Sequence, residues 1–358
     1  LILAIGSFFL GSKNTINSNP YRYFTEKIPV KQANNFVKKN FGGENGPEII
    51  ISSGRKDGVK DPLFLKKVEA FKKWIDSDKR VNKSIDITDI LKEMHQVLHG
   101  GKSEEYRLAD RQKTIAEELF LYTLGLPQGM DINNRITLEN DALRMTILWS
   151  IFDTRGWLEN VKRLENKAKK MGLDIKITGK YLLFQRMMDY VVLTFFKSVT
   201  LALILVGILL MIIFKSFKIG LLSLIPNILP LIIGSAFMYL TGMDLNIGTA
   251  LVASVCLGIA VDDTIHFLSS YHRLKKKGYS DRETIELIYS YTGNALTITT
   301  IILVCGFSME VLSSFIPSIN FGLLCAMILT SALIIDLVFL PAFLLQIDSW
   351  GQNKRKLR

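Results

Sequence analysis

Two patterns of apolar residues divide this chain. Residues 12–185 interleave short apolar groups with Lys, Asp, Glu and Asn, which is typical of a folded domain in water. From Val191 onward the chain is dominated by apolar runs, at roughly 191–214, 219–240, 246–271, 294–313 and 320–346. A helix of about 20 apolar residues crosses a hydrocarbon layer about 30 Å thick. The pattern therefore predicts a membrane helical bundle with one large extramembrane domain.

A shorter apolar run opens the sequence. Residues 1–11, "LILAIGSFFLG", are too few to span a bilayer, and the chain shows no initiator Met. We interpret this run as the end of a first transmembrane helix. Residues 186–346 then hold helices 2–6, so that the bundle has six helices with the first one truncated.

The polar region carries the periodicities of both strands and helices. Residues 47–53, 142–150 and 173–179 are rich in apolar and β-branched residues and predict strands, and amphipathic helical patterns lie between them. Asp61 followed by Pro62 is a typical helix start. The order strand–helix–strand, occurring twice, predicts an α+β domain of ferredoxin-like halves.

This domain offers few candidates for chemistry. It contains no nucleotide-binding loop and no catalytic constellation, so an enzyme is not expected. His95 and His99 lie four residues apart on one predicted helix, where both could reach a metal ion. Because no third ligand lies near them in the sequence, we interpret them as a solvated or helix-capping pair and expect no metal site.

Charge patterning predicts the orientation of the chain. The formal net charge is +11, and the basic residues of the apolar half concentrate in the 214–219 turn, in residues 272–293 and in residues 347–358. The other two short connections carry no Lys or Arg. Since basic loops stay in the cytoplasm, residues 272–293 and the tail 347–358 are predicted inside, and residues 12–185 outside. Because membrane orientation accounts for the positive charge, nucleic acid is not expected as a partner.

The most unusual feature is a pair of carboxylates inside an apolar run, in "GIAVDDTIHF". With about 100° per helical residue, Asp262, Asp263 and His266 occupy one polar wedge, which Gly258 continues as a small residue permitting close helix packing. A wedge of this kind must face other helices or water rather than lipid. Repulsion between the two carboxylates and their burial both favour the protonated forms of Asp262 and Asp263. We therefore interpret Asp262, Asp263 and His266 as a proton relay. The alternative is a pair merely hydrated at the inner membrane surface.

Other polar and helix-distorting residues lie near this wedge in the sequence or in neighbouring spans. Asn294, Thr297 and Thr300 form a stripe on the next span, and they could bond either the carboxylates or their own helix backbone. Pro226 and Pro230 predict a bend in the third helix. Asp336, in the last span, requires an interior partner or serves helix packing and registry.

Together these motifs resemble a known superfamily. "GTALVASVCLGIAVDDTIHFLSSY", "LIPNILPL", "GNALTITTIILVCGFSMEVLSSFIPSINFGLL" and "DLVFLPAFLL" are similar to the resistance–nodulation–division (RND) superfamily, in its lipid-exporter branch of MMPL and hopanoid exporters. The likeness is strong over residues 181–346 and loose over the outer domain. It implies one six-helix half, the C-terminal one, with a porter domain and an N-terminal half as partner.

The resemblance also implies a mechanism. Asp262 and Asp263 would be the proton-carrying positions, with Asp262 the firmer assignment because relatives often carry Tyr at the second position. The cofactor would be the proton gradient alone. Drug exporters of this superfamily place a Lys on the fifth helix as counter-charge, but residues 294–311 contain neither Lys nor Arg. The counter-charge is therefore expected from the other half, or from hydroxyls and His266.

The expected function is proton-driven export of a hydrophobic or amphiphilic, lipid-like substrate from a bacterial inner membrane. Expected partners are the N-terminal half or a second copy of the chain, together with membrane lipids. Two alternatives use the same helices: a lipid sensor resembling sterol-sensing domains, and an accessory of protein translocation. The intact carboxylate pair argues against a pure sensor.

Overall fold

The computed structural model describes residues 2–17, 20–41, 46–127, 131–151 and 154–346. These residues form two compact units. An α+β unit comprises Pro29–Met187, and a helical unit combines Leu1–Ile28 with Met188–Arg358. Residues 12–28, which the sequence analysis grouped with the outer domain, contact the helical unit: Ile16 pairs with Leu245 and Phe24 with Phe315.

A four-stranded antiparallel sheet organises the α+β unit. Its strands are β1 (Glu48–Ser52), β2 (Val81–Ile85), β3 (Ala142–Trp149) and β4 (Asp174–Thr178). They lie in the order β2-β3-β1-β4, and every neighbouring pair is antiparallel. This is the split βαβ arrangement expected of ferredoxin-like halves. Strand β2 was not predicted from the sequence, and its pairing with β3 is interrupted by an irregularity between Val81 and Lys83.

Five helices accompany this sheet: α2 (Pro29–Phe41), α3 (Pro62–Asp76), α4 (Ile87–Leu98), α5 (Gln112–Leu124) and α6 (Thr154–Lys170). The predicted start of α3 is confirmed, because the Asp61 side chain accepts a hydrogen bond from the Leu63 amide at 2.9 Å. Asp86 caps α4 in the same way, accepting from the Thr88 amide at 2.8 Å. Short polar side chains therefore fix where these helices begin.

The α+β unit has a continuous apolar core. Alternate residues of β1, Ile49 and Ile51, are buried against Phe71 of α3 and Trp157 of α6. The Trp149 and Trp157 rings meet edge to face with centroids 5.1 Å apart. The period-2 pattern of the strands and the helical stripes thus converge on one interior.

The helical unit contains a short apolar helix, α1 (Ile2–Gly11), and a series of longer ones. These are α7 (Lys180–Phe214), α8 (Phe217–Leu222), α9 (Leu224–Thr241), α10 (Ile247–Lys276), α11 (Asp281–Ile288), α12 (Asn294–Ser308) and α13 (Ile316–Ile334). One-turn π-helical segments, Tyr289–Gly293 and Ile335–Phe339, follow α11 and α13.

Within the part of the chain that the structure describes, five helical stretches are long and apolar enough to cross a membrane, in agreement with the five predicted spans. They are Lys180–Phe214, Gly220–Thr241, Ile247–Lys276, Asp281–Leu312 and Ile316–Gln346. The segment 272–293 is largely helical: α10 continues to Lys276, and α11 begins at a capping box, where the Ser280 amide donates to Glu283 at 2.9 Å.

Helix α13 is the centre of the helical unit, since it contacts α9, α10 and α12. Glycines permit these approaches. A Cβ added to Gly234 of α9 would lie 2.5 Å from Ile328, and one added to Gly322 of α13 would lie 2.3 Å from the carbonyl oxygen of Phe307. Close packing through small residues is typical of helices in lipid.

Candidate functional site

Helix α10 carries the paired carboxylates near its middle. Its start is fixed by a reciprocal cap, in which Asn246 accepts from the Thr249 amide at 3.1 Å and Thr249 accepts from the Asn246 amide at 2.9 Å. Sixteen residues beyond this cap, the two carboxylates point in different directions. The Asp262 side chain is 72% exposed, whereas Asp263 is buried. The two carboxylates are therefore not equivalent, and the sequence alone could not show which of them is buried.

His266 lies one turn after Asp262 on the same face. Its Nε2 atom is 3.6 Å from Oδ1 of Asp262, close enough for an ion pair when the imidazole is protonated. Asp262 and His266 therefore share one face of α10, whereas Asp263 is buried. Among the residues that the structure describes, no Lys or Arg pairs with Asp262, and His266 is its ionic neighbour.

A cavity of about 840 Å³ opens beside this wedge, between α10 and the helix that contains α12. Asp262, Asp263 and His266 line it on one side together with Gly258. Thr292 and Thr299 line the other side, where the Thr292 hydroxyl donates to Ser270 at 3.1 Å. Carboxylates, an imidazole and hydroxyls therefore share one space that is large enough for water.

The predicted supporting stripe is not what lines this cavity. Asn294 donates to the Ser290 carbonyl at 2.9 Å and Thr297 to the Gly293 carbonyl at 2.8 Å, so both bond their own helix. Thr300 is buried outside the cavity lining. The threonine of α12 that lines the cavity is Thr299, and its hydroxyl likewise donates to its own helix, to the Leu296 carbonyl at 3.0 Å.

The three residues expected to shape the helices have different roles. A Cβ on Gly258 would meet no atom within 4 Å, so this glycine widens the cavity and does not pack against a described helix. Pro226 lies in the first turn of α9, just after α8 ends at Leu222, and Pro230 lies in the interior of α9. Both prolines are buried, and the expected bend stays a prediction.

The interior partner that Asp336 requires is Thr264. Asp336, within the π-helical segment Ile335–Phe339, is only 1% exposed, and it accepts a hydrogen bond from the Thr264 hydroxyl at 3.0 Å. The same hydroxyl lies 3.3 Å from Oδ1 of Asn227, whose amide donates to the Ser223 carbonyl at 2.8 Å. We call Asn227, Thr264 and Asp336 the buried triad.

The buried triad adjoins the carboxylate pair, because Thr264 directly follows Asp263 on α10. Sequence reasoning missed Asn227 and Thr264, since a single Asn or Thr in an apolar run is unremarkable. The available signal was Asp336 itself, because a buried carboxylate needs a partner. Its π-helical turn is a second sign, as such turns are frequent at functional sites.

Comparison with known proteins assigns this helical architecture. The sequence profile of the MMPL family matches residues 155–358, which include α7 to α13, the carboxylate pair and the buried triad. The chain belongs to the MMPL family. The resemblance drawn from the motifs is thereby confirmed, and the match agrees with one half of an RND-type transporter.

A relative covers nearly the whole chain. A protein of Methanocaldococcus jannaschii, named only as a candidate membrane protein, is 24% identical over 367 residues, covering 96% of this chain and 89% of the relative. The similarity therefore includes the α+β unit, which the MMPL match reaches only from residue 155. Membership of the MMPL family places the chain among RND-type transporters of lipid-like substrates.

Proposed function

We propose that this chain exports a hydrophobic or amphiphilic, lipid-like substrate with energy from the proton gradient. The supporting observation is the cavity at Asp262, Asp263 and His266, inside a helix long and apolar enough to span a membrane. A proton that crosses about 100 mV releases about 2.3 kcal/mol, so repeated protonation of a carboxylate at this depth can drive a transport step.

The roles of the three residues follow from their positions. Asp262, exposed to the cavity, takes up and releases the proton, and His266 at 3.6 Å stabilises its charged form. Asp263, buried beside it, responds to the charge on Asp262. The buried triad extends this polar path, because Thr264 links α10 to α9 and to the last span. A change of charge on α10 would therefore alter bonds that join three spans.

Asp262 also supports the proposed partner. A carboxylate that is 72% exposed at membrane depth cannot face lipid at an acceptable cost, so this face requires a protein cover. The proposed cover is the other half of the transporter, either an N-terminal half or a second copy. That partner would also supply the counter-charge that the described residues of α12 lack.

The decisive experiment is Asp262→Asn, which fixes a neutral group of nearly the same volume. A strain lacking the gene should retain the exported lipid inside its membrane, and wild-type protein should restore export. Asp262→Asn should accumulate in the membrane normally, since it removes a charge, but should leave export at the level of the deleted strain. Glu286→Gln, the same change on exposed α11, is the matched control.

Near-normal export by abundant Asp262→Asn would contradict the relay and would favour a sensor or scaffold role. Unchanged lipid distribution in the strain lacking the gene would contradict export itself. Measuring lipid content and protein abundance in the same membranes distinguishes these outcomes from simple misfolding.

Orientation forms part of this proposal, with residues 12–185 outside and residues 272–293 inside a cytoplasmic membrane. Lys79→Cys and Lys276→Cys test it, using a maleimide that does not cross membranes. We expect intact cells to label position 79 fully and position 276 only after lysis. External labelling of position 276 would contradict the charge-based orientation.

A further inference from the structure

The pair of histidines in the α+β unit gains a third partner from the fold. Glu118 of α5 lies against α4, and its Oε1 atom is 2.6 Å from Nδ1 of His95. His95 is 4% exposed and Glu118 is 1% exposed, so the expectation of a solvated His95 is wrong. No third ligand lies near the two histidines in the sequence, but Glu118 lies next to His95 in the fold.

The positions of the three side chains fit a metal ion. One ligand atom from each of His95, His99 and Glu118 lies within 4.8 Å of those of the other two. Tetrahedral zinc, with ligands about 2.0–2.2 Å away, needs ligand atoms about 3.3 Å apart, which small side-chain rotations would provide. Two imidazoles and one carboxylate form a donor set that zinc uses with water as the fourth ligand.

The hydrogen bonds of the two histidines prepare them for this role. Nδ1 of His99 lies 2.7 Å from the His95 carbonyl, which can only accept, so Nδ1 carries the proton and Nε2 keeps a free lone pair. Nε2 of His95 lies 3.4 Å from Oε2 of Glu105, which could hold it as an outer carboxylate. Metal-binding histidines typically donate their second N–H to a carbonyl or a carboxylate in this way.

The site also contains buried polar atoms that need an explanation. Among the described residues, neither Nε2 of His95 nor Oε2 of Glu118 makes a hydrogen bond. The Arg107 guanidinium lies 3.1 Å from Glu105, which leaves the deeper Glu118 without a neighbouring Lys or Arg within the described residues. A buried carboxylate requires compensation, and a divalent cation would provide it.

We propose that His95, His99 and Glu118 bind a divalent transition-metal ion, with zinc as the best match. His95 would bind through Nδ1, exchanging its hydrogen bond to Glu118 for a shared metal ion, and His99 would bind through Nε2. Because His99 is exposed, the ion can enter from solvent. Bound metal would join the end of α4 to α5. The hard cation Mg²⁺, which prefers oxygen ligands, should not replace it.

The experiment uses the full chain in detergent, purified without a polyhistidine tag and treated with a chelator. Equilibrium dialysis against micromolar zinc, followed by elemental analysis, should give one zinc per chain and no retained magnesium. His99→Ala removes an exposed ligand, and Glu118→Gln keeps the shape and a hydrogen bond to His95. Each should weaken zinc binding by at least about 100-fold, the upper end of losses seen for outer-shell partners.

The chain provides matched controls, since its other two histidines are His266 and His272. His266→Ala and His272→Ala should bind zinc like the wild type, and all variants should show wild-type tryptophan fluorescence without metal. No zinc bound by the wild type would overturn the proposal and leave His95 as a purely structural contact between Glu105 and Glu118. Equal binding by wild type, His99→Ala and Glu118→Gln would overturn it as well.

Discussion

Apolar residues of the same type are buried in the α+β unit and exposed in the helical unit. In the α+β unit Ile49 is fully buried, whereas Ile212 of α7 is 67% exposed in the helical unit. In water, burial of apolar surface stabilises a fold by about 25 cal/mol per Å². In a bilayer the surrounding chains are as apolar as Ile, so packing and polar contacts hold helices together instead. Exposure of apolar side chains thus has different consequences in the two units.

Buried charges differ between the units in a parallel way. In the α+β unit Lys72 pairs with Asp89 and lies 3.8 Å from the buried Asp86, and Lys92 lies 3.5 Å from Glu69. In the helical unit Asp336 is equally buried, yet its described partner is the hydroxyl of Thr264. Cations therefore compensate buried carboxylates in the α+β unit, whereas a hydrogen bond from a neutral hydroxyl is the described partner of Asp336.

The largest expected effect tests the contrast in apolar burial. Ile49→Ala should destabilise the α+β unit by about 4 kcal/mol, because it leaves a cavity in a packed core. Ile212→Ala should change stability by less than about 1 kcal/mol. Denaturant unfolding of the full chain, followed by tryptophan fluorescence, measures the first effect, since Trp74, Trp149 and Trp157, three of the four tryptophans of the sequence, lie in the α+β unit. Chromatography of the heated protein checks the helical unit. Equal losses of stability in the two variants would contradict this contrast between the two units.

A second prediction concerns the buried charges. Lys72→Met should cost about 3 kcal/mol, because it leaves Asp86 buried without its cation. Asp336→Asn should leave membrane abundance and heat resistance unchanged, since the amide still accepts from Thr264 and a charge is removed. Its export should nevertheless fall with that of Asp262→Asn. Loss of Asp336→Asn protein from the membrane would show instead that this carboxylate stabilises the bundle.

The smallest expected effect is present at neutral pH and is lost in acid. Hydrogen bonds from Arg80, joined by Arg163, hold the pKa of Asp78 well below its ordinary value. The stability that this lowered pKa provides is present above the unfolded pKa of about 3.9 and is lost as the pH falls towards the folded value. Asp78→Asn should therefore be less stable than the wild type at neutral pH, with a gap that narrows below about pH 4.

The control for this prediction is Asp174→Asn at an exposed position of β4. It should follow the wild-type acid profile when tryptophan fluorescence records the unfolding midpoint at each pH. An Asp78→Asn profile parallel to that of the wild type throughout would mean that the two arginines do not stabilise the carboxylate.

Local patterns in the sequence determined much of this protein. Hydropathy alone predicted the five spans, and Asp61 followed by Pro62 predicted the start of α3. The helical repeat was sufficient to place Asp262, Asp263 and His266 on one wedge. These features depend on neighbours within a few residues, and the physical rules for such neighbours are nearly independent of the rest of the fold.

Only the tertiary structure decided which side chains from distant parts of the sequence meet. Thr264 meets Asp336 across 72 positions of sequence, and His95 meets Glu118 across 23. The polar strand β2 was missed because its pairing with β3, and not its own pattern, makes it a strand. The fold likewise decided that Asp263 is buried while its neighbour Asp262 is exposed. Such contacts form between segments whose approach is set by the packing of the whole unit, so no local pattern encodes them.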